Sequence, residues 1–258
     1  MSIKTVTIIG AGNLAWHLVK MLQQNDFIVQ HIADRTIEKA ETIAAELNCT
    51  YSGITSDLPQ SDIYIISVKD DAIKEVAEKI YSEGKLMVHT SGGTSSEVLS
   101  INGNRYGVIW PMQTLVKGNE LNYKNMLVAV SASDEETKNL LGEFAKTITD
   151  KVEYVTDEQR AILHMTAVWV NNFTNHLLDI ASDILEENNL KFELMMPMIS
   201  EMMEKVGTVD PEYLQTGPAK RGDMTTMEKH MHLLSRHPEW KQLYYELSRS
   251  IINKFIKQ

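Results

Sequence analysis

The chain has 258 residues, 43% of them hydrophobic, which is enough for one large globular domain or two smaller ones. A formal net charge of -10 and a pI near 5.3 make the surface acidic, which argues against nucleic acid or an anionic membrane as a partner. Cys49 is the lone cysteine, no cleavable leader pattern stands at the N-terminus, and no apolar run has the length of a membrane span; the expectation is a cytoplasmic protein.

In chain order, short β-branched runs alternate with helical patterns through the first half. Strands are predicted at Lys4–Ile9, Ile28–Ala33, Ile63–Val68, Lys85–His89, Tyr106–Ile109 and Met126–Val130, and a weak one at Val152–Val155. Helices such as Leu14–Gln24 and Ile37–Leu47 lie between them, the second opened by Thr36 as its N-cap. This alternation is that of a mostly parallel sheet built from βαβ units. After Thr156 strands stop. Helical periodicity covers Glu158 to about Glu187, then Phe192–Val206, Thr225–Ser235 and Glu239–Ile256, with Gly207 as a stop and Pro238 in a first turn. The expected domains are therefore an α/β unit at 1–155 and an all-α unit at 156–258, with no internal repeat.

Directly after the first strand, "TVTIIGAGNLAWHLV" places Gly10-Ala11-Gly12-Asn13-Leu14-Ala15 at the mouth of a helix. Gly10 suits the tight turn, Gly12 lets the backbone approach a pyrophosphate, and Ala15 lets helix and strand pack closely; unpaired N–H groups of the first turn face the anion. The first half therefore reads as a Rossmann-type dinucleotide-binding domain. Cofactor choice falls at the end of the second strand, where "ADRT" points both ways. Asp34 suits the ribose hydroxyls of NAD, whereas Arg35 and Thr36 suit the 2′-phosphate of NADP, and the balance leans to NADP. Asp34 and Thr36 equally suit capping of the following helix. Further strand ends offer small polar residues for a nicotinamide and its ribose: Ser67, Val68, Thr90, Ser91 and the Trp110–Thr114 segment.

The combination "GAGNLAWHL", "DIYIISVKDDAI", "HTSGG", "WPMQTL", "HMTAVWVNNF" and "TGPAKRGD" resembles a family of Rossmann-like oxidoreductases. Its C-terminal half is a helical domain of unknown function, and its relatives are pyrroline-5-carboxylate reductase, ketopantoate reductase and deazaflavin-dependent NADP reductases. The likeness runs from Thr5 to about Leu233. It implies NAD(P) binding in the first half, a homodimer through the C-terminal helices and a substrate pocket between the domains. Two positions depart from the pattern: Trp110 stands where the family carries histidine, and Asp34 where it carries Ser or Asn.

In the helical half, "RAILHMTAVWVNNFTNHLLDI" is apolar on most of its circumference. At the ideal period, His164, Asn171 and Asn175 fall within about 20° of one direction, with Asn172 and Asp179 roughly 60–80° away. Such a stripe faces polar partners, solvent or a wet cavity; the likeness, whose motif holds His164 and Asn172, favours the cavity.

The leading reading is an enzyme moving a hydride between NAD(P) and a small C=O or C=N substrate. His164 is the candidate proton relay; Asn171 and Asn172 would orient substrate or carboxamide. Arg221 would clamp a carboxylate with Asp223 fixing it, and Lys220 is the weaker alternative. The second reading is a dinucleotide-binding sensor or scaffold without turnover, favoured by Trp110.

Other features carry plainer readings. Met195, Met196, Met198, Met202 and Met203 read as core or subunit contact, and Lys69-Asp70-Asp71 as a solvated loop. No metal is expected, because His31, His230, His232 and His237 lack ligand spacing. An adhesive role for Arg221-Gly222-Asp223 is set aside with the missing export signal.

Overall fold

The computed structural model describes residues 3–80, 84–101, 105–119 and 121–256. Eight strands form one sheet in the order β3-β2-β1-β4-β5-β6-β7-β8. They are β1 (Thr5–Ile9), β2 (Ile28–Ala33), β3 (Thr50–Ser52), β4 (Ile63–Ile66), β5 (Leu86–His89), β6 (Arg105–Pro111), β7 (Leu127–Ala132) and β8 (Lys151–Tyr154). Every neighbouring pair is parallel except β6 and β7. Among the described residues, the 112–126 connection holds one short turn, Tyr123–Asn125, and no α-helix of the kind that usually carries a parallel crossover.

The helices of this half are α1 (Asn13–Gln23), α2 (Ile37–Leu47), α3 (Ile73–Lys79), α4 (Glu135–Ile148) and α5 (Asp157–Ala167). Continuous apolar runs such as "IYII" are buried throughout, as strands covered on both faces must be. Val6, Ile8, Ile65 and Val88 pack with Leu18 and Leu22 of α1, Ile43 of α2 and Phe144 of α4 on one face. On the other, Ile9, Tyr64 and Ile66 pack with Ile73 and Val76 of α3, while Val108, Trp110 and Ala129 meet Leu163 of α5.

The predicted strands are present with ends shifted by a few residues, and β3 is additional. It has three residues, no apolar face and one partner, so no period-2 pattern announces it. It is held through buried His31, whose ring nitrogens bond Thr50 Oγ1 at 2.7 Å and Ser52 Oγ at 2.9 Å.

Chain packing divides the molecule into compact units at 1–170 and 171–258, so α5 belongs with the sheet although the strands end at Tyr154. Thr156 and Gln159 form a capping box that starts α5. Residues Val168–Phe173 are a π-helix before α6 (Thr174–Glu187). A π turn takes about one extra residue, so the register slips between His164 and Asn175 and the stripe computed at the ideal period does not hold. The second unit continues with α7 (Met196–Val206), α8 (Pro211–Leu214), α9 (Pro218–Arg221), α10 (Met224–Leu233) and α11 (Pro238–Phe255). Gly207 is the C-cap of α7, and Pro238 sits in the first turn of α11. Among the described residues, no helix is long and apolar enough to cross a membrane.

The sheet reverses its build direction between β1 and β4, and the glycine turn sits there. Gly10 has φ +113°, and a Cβ on it would lie 2.1 Å from the carbonyl oxygen of Ser67. Gly10→Ala is therefore expected to cost about 2–4 kcal/mol, combining left-handed strain with overpacking. Urea denaturation checks this; a change below 1 kcal/mol would show that the turn relaxes freely.

Candidate active site

The carboxyl ends of β1, β2, β4 and β5 share one edge, where a doubly wound sheet binds its ligand. Gly12 is the N-cap of α1 and no side chain caps this helix, in contrast to α4 and α5, capped by Asp134 and Thr156. A Cβ on Gly12 would meet nothing within 4 Å. The turn thus presents an open backbone face and unspent N–H groups from Asn13 and Leu14 onward, which fits a pyrophosphate. Ala15 is fully buried where helix meets strand.

Asp34 ties this turn to the next one. Its carboxylate accepts from the Ala11 N–H at 2.8 Å and from the Thr36 N–H at 2.8 Å. Both oxygens are therefore engaged by backbone, while Arg35 and Thr36 stand exposed at the end of β2. Thr36 is the N-cap of α2 but makes no side-chain cap, so its hydroxyl is not committed to the helix.

Ser67, Thr90 and Ser91 are buried at the ends of β4 and β5. Ser91 Oγ accepts from the Gly93 and Thr94 N–H groups at 3.1 and 3.0 Å, and it lies 2.9 Å from Thr94 Oγ1. These hydroxyls shape the turn, and Val68 beside them is half-buried.

The turn also rests on His89, fully buried at the end of β5. The Ser91 N–H points at its Nδ1, so Nδ1 must accept, and Nε2 carries the proton toward Ser95 O; both contacts are 3.2 Å. Burial, with a contribution from the Arg160 cation, lowers its pKa to about 4, against the bond to Ser95 O.

Residues 92–96 then run alongside α5. Gly92 and Gly93 meet His164, Thr94 meets Arg160, and Ser95 and Ser96 meet Asp157. Arg160 is 1% exposed, although an arginine on a helix ordinarily reads as solvent-facing. Its guanidinium donates to Ser131 Oγ at 2.5 Å, to Asp157 Oδ1 at 2.6 Å and to the Thr94 carbonyl, leaving Nε without a partner among the described residues. Burial pushes the Asp157 carboxyl up, but bonds from Ser95, Arg160 and Ser96 outweigh this and hold it below its ordinary value. This pair, missed in the sequence, pins α5 to the sheet. Only its position three residues after Asp157, in a first helical turn, hinted at it.

His164 is half-buried one turn further along, its ring edge-on to Trp110 at 5.7 Å between centroids. The fit is tight: a Cβ on Gly92 would lie 2.7 Å from both rings. Trp110, where the resemblance led one to expect histidine, is thus the apolar wall behind His164.

In the second unit, Asn171 and Asn172 lie in the π-helix and are exposed, as is Arg221. Bonds from Thr226 hold the Asp223 carboxyl below its ordinary value, and the charge of Arg221 adds to this at a distance. Asp223 caps α10, accepting from Thr226 N at 3.0 Å and Thr226 Oγ1 at 2.7 Å, and Gly222 ends α9 in the left-handed region at φ +66°. The Arg-Gly-Asp tripeptide is thus a joint between two helices, a Gly C-cap followed by an Asp N-cap. Lys220 is also engaged, with the Gln215 carbonyl at 2.8 Å and the Phe255 ring. Arg221 makes no hydrogen bond or ion pair among the described residues.

Residues 5–93 match the family model described as NADP oxidoreductase, coenzyme F420-dependent, and residues 126–251 match that of a domain of unknown function, DUF2520. A solved protein from Bacteroides fragilis, described as an NADP oxidoreductase, is 35% identical over 97% of this chain and 98% of its own, with a TM-score of 0.88. The chain belongs to this NADP oxidoreductase family. No curated protein matches it. A reductive aminase from Aspergillus terreus, solved with NADPH and ethyl levulinate, shares the family's fold at 14% identity over 97% of this chain and 95% of that one (TM-score 0.71). So does a pyrroline-5-carboxylate reductase from Coxiella burnetii, at 15% identity over 99% and 98% (TM-score 0.58).

His89 generates a pH prediction. Its folded pKa lies below the unfolded one, so the unfolded chain binds the extra proton first and stability falls as pH drops from about 6.5 to about 4. The contribution at stake is about 3 kcal/mol at most. His89→Gln, which can still accept and donate, is expected to flatten that part of the stability profile; equal slopes would mean that His89 titrates normally.

Proposed function

We propose that the chain is an NADP-dependent oxidoreductase that transfers a hydride between the nicotinamide and a small C=O or C=N compound. The observation that carries the reading is the glycine turn: Gly10 against the Ser67 peptide at the sheet's switch point, with the Gly12 face open and α1 uncapped. Bound NADPH supplies a hydride from nicotinamide C4. The protein's own groups do the rest. N–H groups of Gly12, Asn13 and Leu14 take the pyrophosphate, and backbone at Ser67, Val68, Thr90 and Ser91 borders the nicotinamide ribose.

NADP is favoured over NAD because Asp34 spends both carboxylate oxygens on Ala11 and Thr36, while Arg35 and the Thr36 hydroxyl stay available for a 2′-phosphate. His164 delivers the proton that accompanies the hydride, with Trp110 excluding water from one side of the ring. Asn171 and Asn172 orient the substrate, and Arg221, which makes no hydrogen bond or ion pair among the described residues, clamps a carboxylate where the substrate bears one. Trp110 also favours a second reading, a sensor that binds NADPH without turning over. Sustained oxidation of NADPH by a member of a panel of cyclic imines and keto acids decides for the enzyme.

The working form is a homodimer in the cytoplasm, and packing supports the dimer. Among the described residues of 171–258, the buried apolar side chains are Ile180, Ala219 and Met227, while Phe173, Leu177, Met198, Met202 and Met203 are exposed. So thin a core does not sustain a helical unit alone, and the methionine cluster, exposed in the single chain, suits a subunit contact.

Two measurements follow. Arg35→Ala is expected to weaken NADPH binding roughly 10- to 100-fold, as loss of charge-assisted bonds does, and to leave NADH within about two-fold. Nicotinamide fluorescence reads it, and equal losses for both cofactors would contradict the 2′-phosphate role. Sedimentation is expected to give twice 29.3 kDa for the parent chain and a shift toward single chains in Met198→Glu with Met202→Glu. A parent chain sedimenting at 29.3 kDa would contradict the dimer.

A further inference from the structure

Asp70 and His164 meet across a gap that only a glycine leaves open. A Cβ built on Gly93 would lie 3.6 Å from His164 Nδ1 and 3.7 Å from Asp70 Oδ2, so nitrogen and oxygen are at most about 7 Å apart; one bridging water, with two bonds of about 2.8 Å, joins them where the side chains stand about 5.6 Å apart or closer. Asp70 opens the short turn after β4, on the strand edge that carries the glycine turn.

Neither group has a hydrogen-bond or ion-pair partner among the described residues, although the Asp70 charge also acts on His89. The other charged groups around His164 are accounted for. Arg160 and Asp157 on α5 neutralise each other at 2.6 Å, and Glu158 lies at the exposed helix start. From β5 comes His89, whose two ring nitrogens are occupied by Ser91 and Ser95. From the β4 turn come exposed Lys69 and Asp71, and β6 contributes the uncharged Trp110.

Resting on the reading of His164 as the proton-delivering group, we propose that Asp70 is its positioning residue. The carboxylate holds the imidazole with its proton on Nδ1 and leaves Nε2 as the nitrogen that exchanges a proton with the substrate. A carboxylate near one ring nitrogen selects the tautomer in this way. In the reducing direction the substrate oxygen or nitrogen takes the proton from Nε2 of the doubly protonated ring. The ring keeps its Nδ1 proton toward Asp70, the carboxylate stays ionised throughout, and solvent restores the lost proton.

The two adjacent glycines separate this role from plain packing. Gly92→Ala would drive a methyl to 2.7 Å from His164 and Trp110, whereas at Gly93 every contact of an added methyl is 3.6 Å or longer and φ is not in the left-handed region. Gly93→Ala thus fills the gap between carboxylate and imidazole without forcing the chain to move.

The test uses the full chain labelled with 15N-histidine, with the His164 ring signals identified by their loss in His164→Asn. Asp70→Asn and Gly93→Ala are each expected to lower the ratio of Nδ1–H to Nε2–H tautomer at least two-fold, with the thermal midpoint unchanged. Unchanged ratios in both variants would overturn the proposal. If Asp70→Asn unfolds, Gly93→Ala decides alone. The readout does not depend on turnover. Unchanged turnover in His164→Ala would strike the functional reading, whereas unchanged tautomers strike only the role of Asp70.

Discussion

The peptide of Gly10 lies directly against that of Ser67, and the crevice at the strand ends is arranged around that contact. It exists because the chain, having laid β2 and β3 on one side of β1, returns to lay β4 on the other. The reversal opens a crevice at the strand ends, and only a residue without a Cβ passes through it at φ +113°. From there each step is local. Gly12 leaves the first turn of α1 bare, Asp34 ties the turn to the end of β2, and β5 delivers the Thr90–Gly93 turn to the same edge.

A second constraint sets the far wall. Burying a guanidinium is costly unless its donors are met, and Arg160 meets most of that cost with Asp157, Ser131 and the Thr94 carbonyl. The same bonds fasten α5 to the 92–96 segment, so His164 arrives over two glycines and beside Trp110 rather than at an arbitrary point on the surface. Gly92 and Arg160 are in this sense one device, a close approach and the clamp that enforces it.

Much of this was legible in the chain. Strands covered on both faces read as unbroken Val/Ile runs, and the glycine fingerprint between "TVTII" and an amphipathic helix pointed to the crevice. The switch of texture after Thr156 marked the end of the strands, but α5 packs with the sheet, because burial of Leu163 and Arg160, not helical periodicity, decides where a helix belongs. β3 was invisible because three residues paired to one neighbour carry no hydrophobic alternation. The polar stripe failed because a π turn at Val168–Phe173 changes the period that the stripe assumed. Arg160 could not be told from a solvated arginine without the burial that tertiary packing creates. Asp223 was the opposite case: an Asp after a Gly between two helices is a cap by the ordinary rules, and the helix claims its carboxylate ahead of Arg221.

The most direct measurement is a structure determined with NADPH bound. The pyrophosphate is predicted to lie on the Gly12–Leu14 N–H groups, the 2′-phosphate at Arg35 and Thr36, and the nicotinamide ring beside the Thr90–Gly93 turn within reach of His164. A cofactor seated away from the glycine turn, or no occupancy at saturating NADPH, would contradict the account.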